Sequence, residues 1–207
     1  MKHSCLTVVW LIAVAAFAFN GVPASAFAPD DPPSEESLAE PEEGARDKQA
    51  LLDALYQRLQ QAETPEGAKA VAQRIERAWR KSDSATADLL LARAMALISA
   101  EEYSLALAIL DTVVVSEPDF AEGWSQRAMA HFQKRDFSEA LSDLRRVLAL
   151  EPKHYRAMQG VAVILNEFGE KERALQAYRR VLEIYPTKKE ALEAVDELER
   201  EVEGQDI

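Results

Sequence analysis

The chain has 207 residues, with 36 acidic and 24 basic side chains and a formal net charge of −12. So acidic a chain lacks the basic surface that bulk attraction to nucleic-acid phosphates requires. Its 7 glycines, set against abundant Ala, Leu, Glu and Arg, favour helix over strand.

Residues 1–26 have the make-up of a secretory signal peptide. Lys2 and His3 precede an uncharged run from Cys5 to Phe19, and Ala24-Ser25-Ala26 supplies small residues for cleavage. Cleavage is expected after Ala26, with Ala28 as a second candidate. The alternative is an N-terminal membrane anchor, but the run is short beside the roughly 20 residues a span needs. The mature chain is therefore expected in a bacterial periplasm, without a membrane span. Cys5 is the single cysteine, so the mature chain would have no disulfide, no thiolate and no Cys-ligated metal.

Residues 27–46 include "PDDPPSEESLAEPEEG", which has many carboxylates, four prolines and little to bury. They read as a disordered linker, with an acidic interaction tail as the alternative. Over 47–82 a helical pair is expected. Leu51, Leu52, Leu55 and Leu59 share one helix face. Thr64 can then cap a second helix that starts at Pro65 and buries Val71, Ile75, Ala78 and Trp79.

Beyond this pair the chain repeats. Pro118, Pro152 and Pro186 recur at intervals of 34 residues. Units aligned on them span 87–120, 121–154 and 155–188. Position 8 is Ala94, Ala128 and Ala162; position 20 is Ala106, Ala140 and Ala174; position 27 is Val113, Val147 and Val181. An alanine in each of two adjacent helices lets their axes approach closely. Phe137, Ala140, Leu141, Leu144, Val147 and Leu148 form one helical stripe. Asp136, Asp119 and Glu122 suit helix starts, and Gly169 suits a turn. Each proline ends a pair, because it lacks a donor and restricts the residue before it.

The pattern resembles the tetratricopeptide repeat, a 34-residue helix–turn–helix unit with small residues at positions 8 and 20 and proline at 32. Trp124 matches position 4, and Tyr103 and Phe137 match position 17. Arg93 and Arg127 depart from the usual leucine at position 7, and Leu97, His131 and Leu165 from the tyrosine at position 11. Position 24 is aromatic only at Tyr178. The expected fold is all-α: an antiparallel helix-pair solenoid with a terminal capping helix. The pair at 47–82 stands where a further unit or an N-terminal cap would be. Residues 189–203 read as the capping helix, started by a Thr187–Glu190 box and buried along Leu192, Val195, Leu198 and Val202, with an acidic outer face.

No GxSxG, phosphate-cradling glycine loop or HExxH occurs, so neither a catalytic site nor a cofactor or metal site is expected. His131 reads as a packed side chain with one hydrogen bond, and His154, after Pro152, as exposed. Trp79, Trp124 and Met158 read as core. The resemblance implies a groove along the first helix of each unit that binds a protein or peptide segment. It places there Leu91, Met95 and Ile98, then Ser125, Met129, Phe132 and Gln133, then Arg156, Gln159, Val163 and Asn166. The Lys and Asn side chains by which chaperone-tail binders of the family clamp a carboxylate are absent, since Leu91 and Met95 occupy the first unit. Leu91, Met95, Ile98, Met129 and Phe132 read as an apolar set open to a partner, or else covered by the N-terminal pair or by self-association. The function expected is a non-catalytic adaptor or assembly factor, with a self-associating envelope component as the alternative.

Overall fold

The computed structural model describes residues 35–203; the expected signal peptide and the first part of the linker lie outside the described residues. Contacts divide the chain after Leu38, and the unit that starts at Ala39 is the one described below. Nine helices occur among the described residues: α1 (Glu35–Gln60), α2 (Pro65–Trp79), α3 (Ala85–Ser99), α4 (Tyr103–Ser116), α5 (Ala121–Gln133), α6 (Phe137–Leu150), α7 (Tyr155–Glu167), α8 (Lys171–Ile184) and α9 (Lys189–Glu203). They form the helical solenoid expected from the repeat.

Each unit is built in the same way. Its two alanines vanish into the helix–helix contact: Ala94, Ala106, Ala128, Ala140, Ala162 and Ala174 are all at most 2% exposed. The first helix ends in a Schellman turn. Glu101, Arg135 and Gly169 are left-handed at φ 62°, 63° and 75°. The next N–H reaches back five residues, from Glu102 to Leu97, Asp136 to His131 and Glu170 to Leu165, each at 2.9 Å. Only the third unit places glycine at this strained position. At the seams, Glu117, Glu151 and Tyr185 leave helical geometry just before the prolines.

Successive units stack through the third and sixth positions of the first helix. A Cβ on Gly123 would lie 2.9 Å from Val113 of α4, and one on Gly160 would lie 3.2 Å from Leu144 of α6. Arg127 ties this stack together. It donates to Asp143 in its own unit at 2.7 and 2.9 Å and to Asp111 of the preceding unit at 2.9 Å, and its guanidinium lies over Trp124.

Several expectations are corrected. Residues 35–46 are helical rather than disordered, with Pro41 inside the helix. The pair α1–α2 shares its core with Tyr155, Tyr178, Tyr185 and α9, and does not cover the outer side of α3, where Leu89 is 70% exposed. Helix α1 crosses the ends of the units instead. Lys48 donates to the Lys81 carbonyl at 2.7 Å and lies over Phe120, Asp53 pairs with Lys153 at 2.9 Å, and Gln60 donates to the Glu183 carbonyl at 2.9 Å.

Helix starts differ too. Thr64 and Ser84 cap through their hydroxyls. Asp136 holds the N-cap position of α6 without a side-chain cap bond. Asp119 turns to Arg146, and the buried Thr187 hydroxyl has no partner within the protein. In α9, Ala191 is buried where Leu192 was expected, and Leu192 is exposed.

Candidate functional site

A cleft of about 350 Å³ opens between α5 and α7. Met129 and Phe132 of α5, Leu144 of α6 and Val163 and Ile164 of α7 make it apolar. Gly160 keeps it open, because any larger side chain there would press on Leu144. Its polar lining comes from Ser125, Gln126, Gln133 and Gln159, and its charged groups are Arg156, Lys188 and Glu76. Glu76 belongs to α2, so the N-terminal pair builds one wall.

Helix α2 is fixed there by a buried aromatic and polar cluster. Trp79 is 2% exposed and stacks on His154, with ring centroids 3.7 Å apart. Its indole N–H donates to the Tyr56 hydroxyl at 3.1 Å. The Tyr155 hydroxyl donates to Glu76 at 3.1 Å, and Arg156 lies 3.9 Å from the same carboxylate. Burial, then the neighbouring Glu76, raises Tyr155 above the usual phenol range, so it remains a protonated donor.

His154 is fully buried, against the expectation that a residue after the seam proline would be exposed. Its Nδ1 accepts the Ala157 N–H at 3.1 Å and caps α7. With Nδ1 accepting, Nε2 is the N–H that faces Glu122, at 3.4 Å. Glu122, also buried, accepts from Gln126 at 2.7 Å. Burial pushes the Glu122 carboxyl up, but His154, Gln126 and Arg156 outweigh it and hold the group below its ordinary range. His131 is only partly buried. Its Nδ1 has no hydrogen-bond partner and lies 3.7 Å from Asp136, so the single bond expected of it is not formed at that nitrogen.

Of the groove residues read from the sequence, Ser125, Met129, Phe132, Gln133, Arg156, Gln159 and Val163 meet in the cleft. The other four do not. Leu91 is 1% exposed, inside a core with Phe120 and Ala130, and Met95 and Ile98 pack against that core. Asn166 is exposed and lies off the lining. The apolar set therefore splits: the first unit spends its part on packing, and only Met129 and Phe132 face the opening. Trp79 is core as expected, whereas Trp124 and Met158 are only partly buried. Glu76, Gly160 and Lys188 were not singled out from sequence, and Leu144 was read only as part of a buried helical stripe. Lys188 shares position 34 with Phe120 and His154, a column that faces the N-terminal helices in the first two units, while nothing local marks Glu76.

Residues 125–189 match the tetratricopeptide repeat family model. A TPR repeat-containing protein of Rhizobium etli is 36% identical over 76 residues, which is 37% of this chain and 37% of that protein. The chain thus matches a little over a third of that relative's length. The first TPR of Spaghetti, bound to an HSP90 peptide, superposes with a TM-score of 0.55 at 23% identity, over 58% of this chain and 95% of that one. YrrB, a TPR protein with an unusual peptide-binding site, superposes with a TM-score of 0.50 at 26% identity, over 62% of this chain and 64% of its own. These structures share the helix-pair fold with this chain. Among the described residues, no three His, Cys, Asp or Glu side chains are grouped to hold a metal ion, and no helix is long and apolar enough to cross a membrane.

Proposed function

We propose that the protein is a non-catalytic interaction module that docks a partner peptide segment in the cleft between α5 and α7. The observation that carries this reading is the convergence of seven variable repeat positions on one open, apolar-floored cleft. Packing does not demand Met129, which is 37% exposed although α5 otherwise buries its small residues. Such a site suits a segment that seats one apolar side chain between Met129, Phe132 and Leu144. The segment's main chain would then meet the amides of Gln133 and Gln159. The HSP90-peptide complex of Spaghetti and the peptide-binding site of YrrB support the same reading by likeness of fold.

The cleft is shorter than a three-unit groove, because α2 stands beside α7 and Leu91, Met95 and Ile98 are spent on packing. A partner would contact mainly the second and third units. We further propose that the protein works after export, on the strength of the leader-like residues 1–26. A mature mass that begins at Phe27 or Pro29 supports this, and an intact Met1 terminus contradicts it.

The double variant Met129→Glu/Phe132→Glu tests the docking site. Capture of partner proteins from an envelope extract is expected to fall to background, with far-UV circular dichroism unchanged and only a modest fall in melting temperature, since Phe132 also packs against Phe137. Undiminished capture removes the cleft as the docking site. Capture of nothing but further copies of this chain would favour self-association through the cleft.

A further inference from the structure

We propose that the seam between the second and third units carries a second docking site, for an extended acidic segment of a partner with a bulky apolar residue between its acids. The site is a hollow of about 190 Å³ among α6, α7 and α8. The half-buried Leu148, Met158, Val161, Leu165 and Ala177 line it, and the exposed Arg173 and Arg180 flank it. It shares no lining residue with the α5–α7 cleft, so it does not depend on docking there.

The same place in the first seam is filled, and what fills it shows what the hollow lacks. There Trp124 lies under the Arg127 guanidinium, and Arg127 grips Asp143 at 2.7 and 2.9 Å. Arg146 donates to Asp119 at 2.9 Å. One unit on, the smaller Met158 stands in place of Trp124, Val161 in place of Arg127 and Ala177 in place of Asp143. Arg146 recurs as Arg180, but Lys153 holds the position of Asp119 and Arg173 that of Glu139. The second seam has thus lost aromatic bulk and carboxylates and kept its cations. Lys153 is taken up by Asp53 of α1 at 2.9 Å, whereas Arg180 forms no ion pair among the described residues. Arg173 pairs with Glu170 in its own turn, at 2.9 Å, with both side chains exposed. So exposed a pair holds weakly, and an incoming carboxylate can replace it.

Size and charge select the occupant. The hollow is smaller than the roughly 300–1,000 Å³ of small-molecule sites, and it suits one apolar side chain. Arg173 and Arg180 stand about 10 Å apart along α8. In an extended segment, residues i, i+2 and i+4 share one face over about 13 Å. A segment of the form acid–x–apolar–x–acid therefore brings one carboxylate to each arginine and seats its apolar side chain between them. It returns to the second seam the bulk and the negative charge that the first seam holds within the chain. A single lipid headgroup carries its charge at one end of the molecule and meets one arginine at a time.

The probe is a fluorescein-labelled peptide, Gly-Ser-Glu-Ser-Phe-Ser-Glu-Ser-Gly, titrated with the purified chain as the cell produces it. Fluorescence anisotropy up to about 1 mM protein covers the weak affinity that one seated side chain supports. Saturable binding is expected, and a peptide with Gln in place of both Glu should not bind. Arg173→Glu/Arg180→Glu should raise the dissociation constant at least about tenfold at unchanged helicity, since both side chains are exposed. Val161→Arg/Ala177→Asp, which rebuilds in the second seam the ion pair of the first, should abolish binding. Should that variant lose helicity, the exposed arginine variant decides the matter by itself. No binding of the acidic peptide, equal binding of the Gln peptide, or indifference to the arginine variant overturns the proposal. So does binding lost in Met129→Glu/Phe132→Glu, which would place the peptide in the cleft. Binding of phosphatidylglycerol vesicles through the same arginines, with none of the peptide, overturns it in favour of a lipid.

Discussion

Replacing Trp79 with alanine should separate the N-terminal pair from the repeats. The side chain is 2% exposed, stacks on His154 at 3.7 Å, packs against Tyr155 at 5.0 Å and donates to Tyr56 at 3.1 Å. Truncating so buried an indole costs about 3–5 kcal/mol. Losing the hydrogen bond alone, as in Trp79→Phe, should cost about 1 kcal/mol. The two variants therefore divide packing from hydrogen bonding. Urea unfolding followed by circular dichroism gives both costs, and Trp124 fluorescence reports the seam before α5 independently, because its indole donates to the Pro118 carbonyl. In Trp79→Ala the helical signal should begin to fall at lower urea than the Trp124 signal, as α1 and α2 come away first. Limited proteolysis should then cut near residues 61–64 and 81–84. If Trp79→Ala costs no more than Trp79→Phe, or if neither variant opens these loops, the N-terminal pair is not held on the repeats by this cluster.

Three further outcomes follow from the geometry. Glu101 is exposed and left-handed at φ 62°, so Glu101→Gly should stabilise the protein by about 0.5–1 kcal/mol; a lower melting temperature would contradict the strain argument. Arg127→Met leaves the buried Asp143 without its cation and should cost about 3 kcal/mol, most of it recovered on adding Asp143→Leu; an additive double variant would show that the pair is not coupled. The folded Glu122 carboxyl is held below its ordinary 4.5, so the stability it contributes is present above that pH and is lost as pH falls through the lower folded value. Glu122→Gln should therefore narrow the fall in urea midpoint between neutral and acidic pH, and an unchanged fall would mean that other carboxylates govern it.

The repeats were legible because their signals are local. The seam prolines and the six buried alanines each answer to contacts within one or two units, so periodicity and helix chemistry suffice to place them, whereas the stacking role of Gly123 and Gly160 appears only in the structure. The path of α1 and α2 was not legible, since it depends on contacts across long separations, such as Trp79 on His154 and Gln60 on Glu183. That path decides several smaller matters. It buries His154, which as a residue after a seam proline read as exposed, and it gives the cleft Glu76. Leu91 shows another limit. Its position faces the groove in the family pattern, yet here it joins a core with Phe120 and Ala130, side chains that one column of a repeat cannot reveal. Capping was the weakest part of the reading. A Thr–x–x–Glu pattern at 187–190 gave no cap, because α9 begins at Lys189 and leaves Thr187 outside. His154 supplied a cap that composition would assign to Ser, Thr, Asp or Asn.

Docking in the α5–α7 cleft is tested most directly by site-specific photo-crosslinking in living cells. A benzophenone side chain at Gln133 or Gln159, both on the cleft lining, should trap a partner protein, while the same group at Arg145, exposed on α6 and off the lining, should trap none. Equal trapping from Arg145, or none from either cleft position, would contradict the cleft as the working surface of the protein.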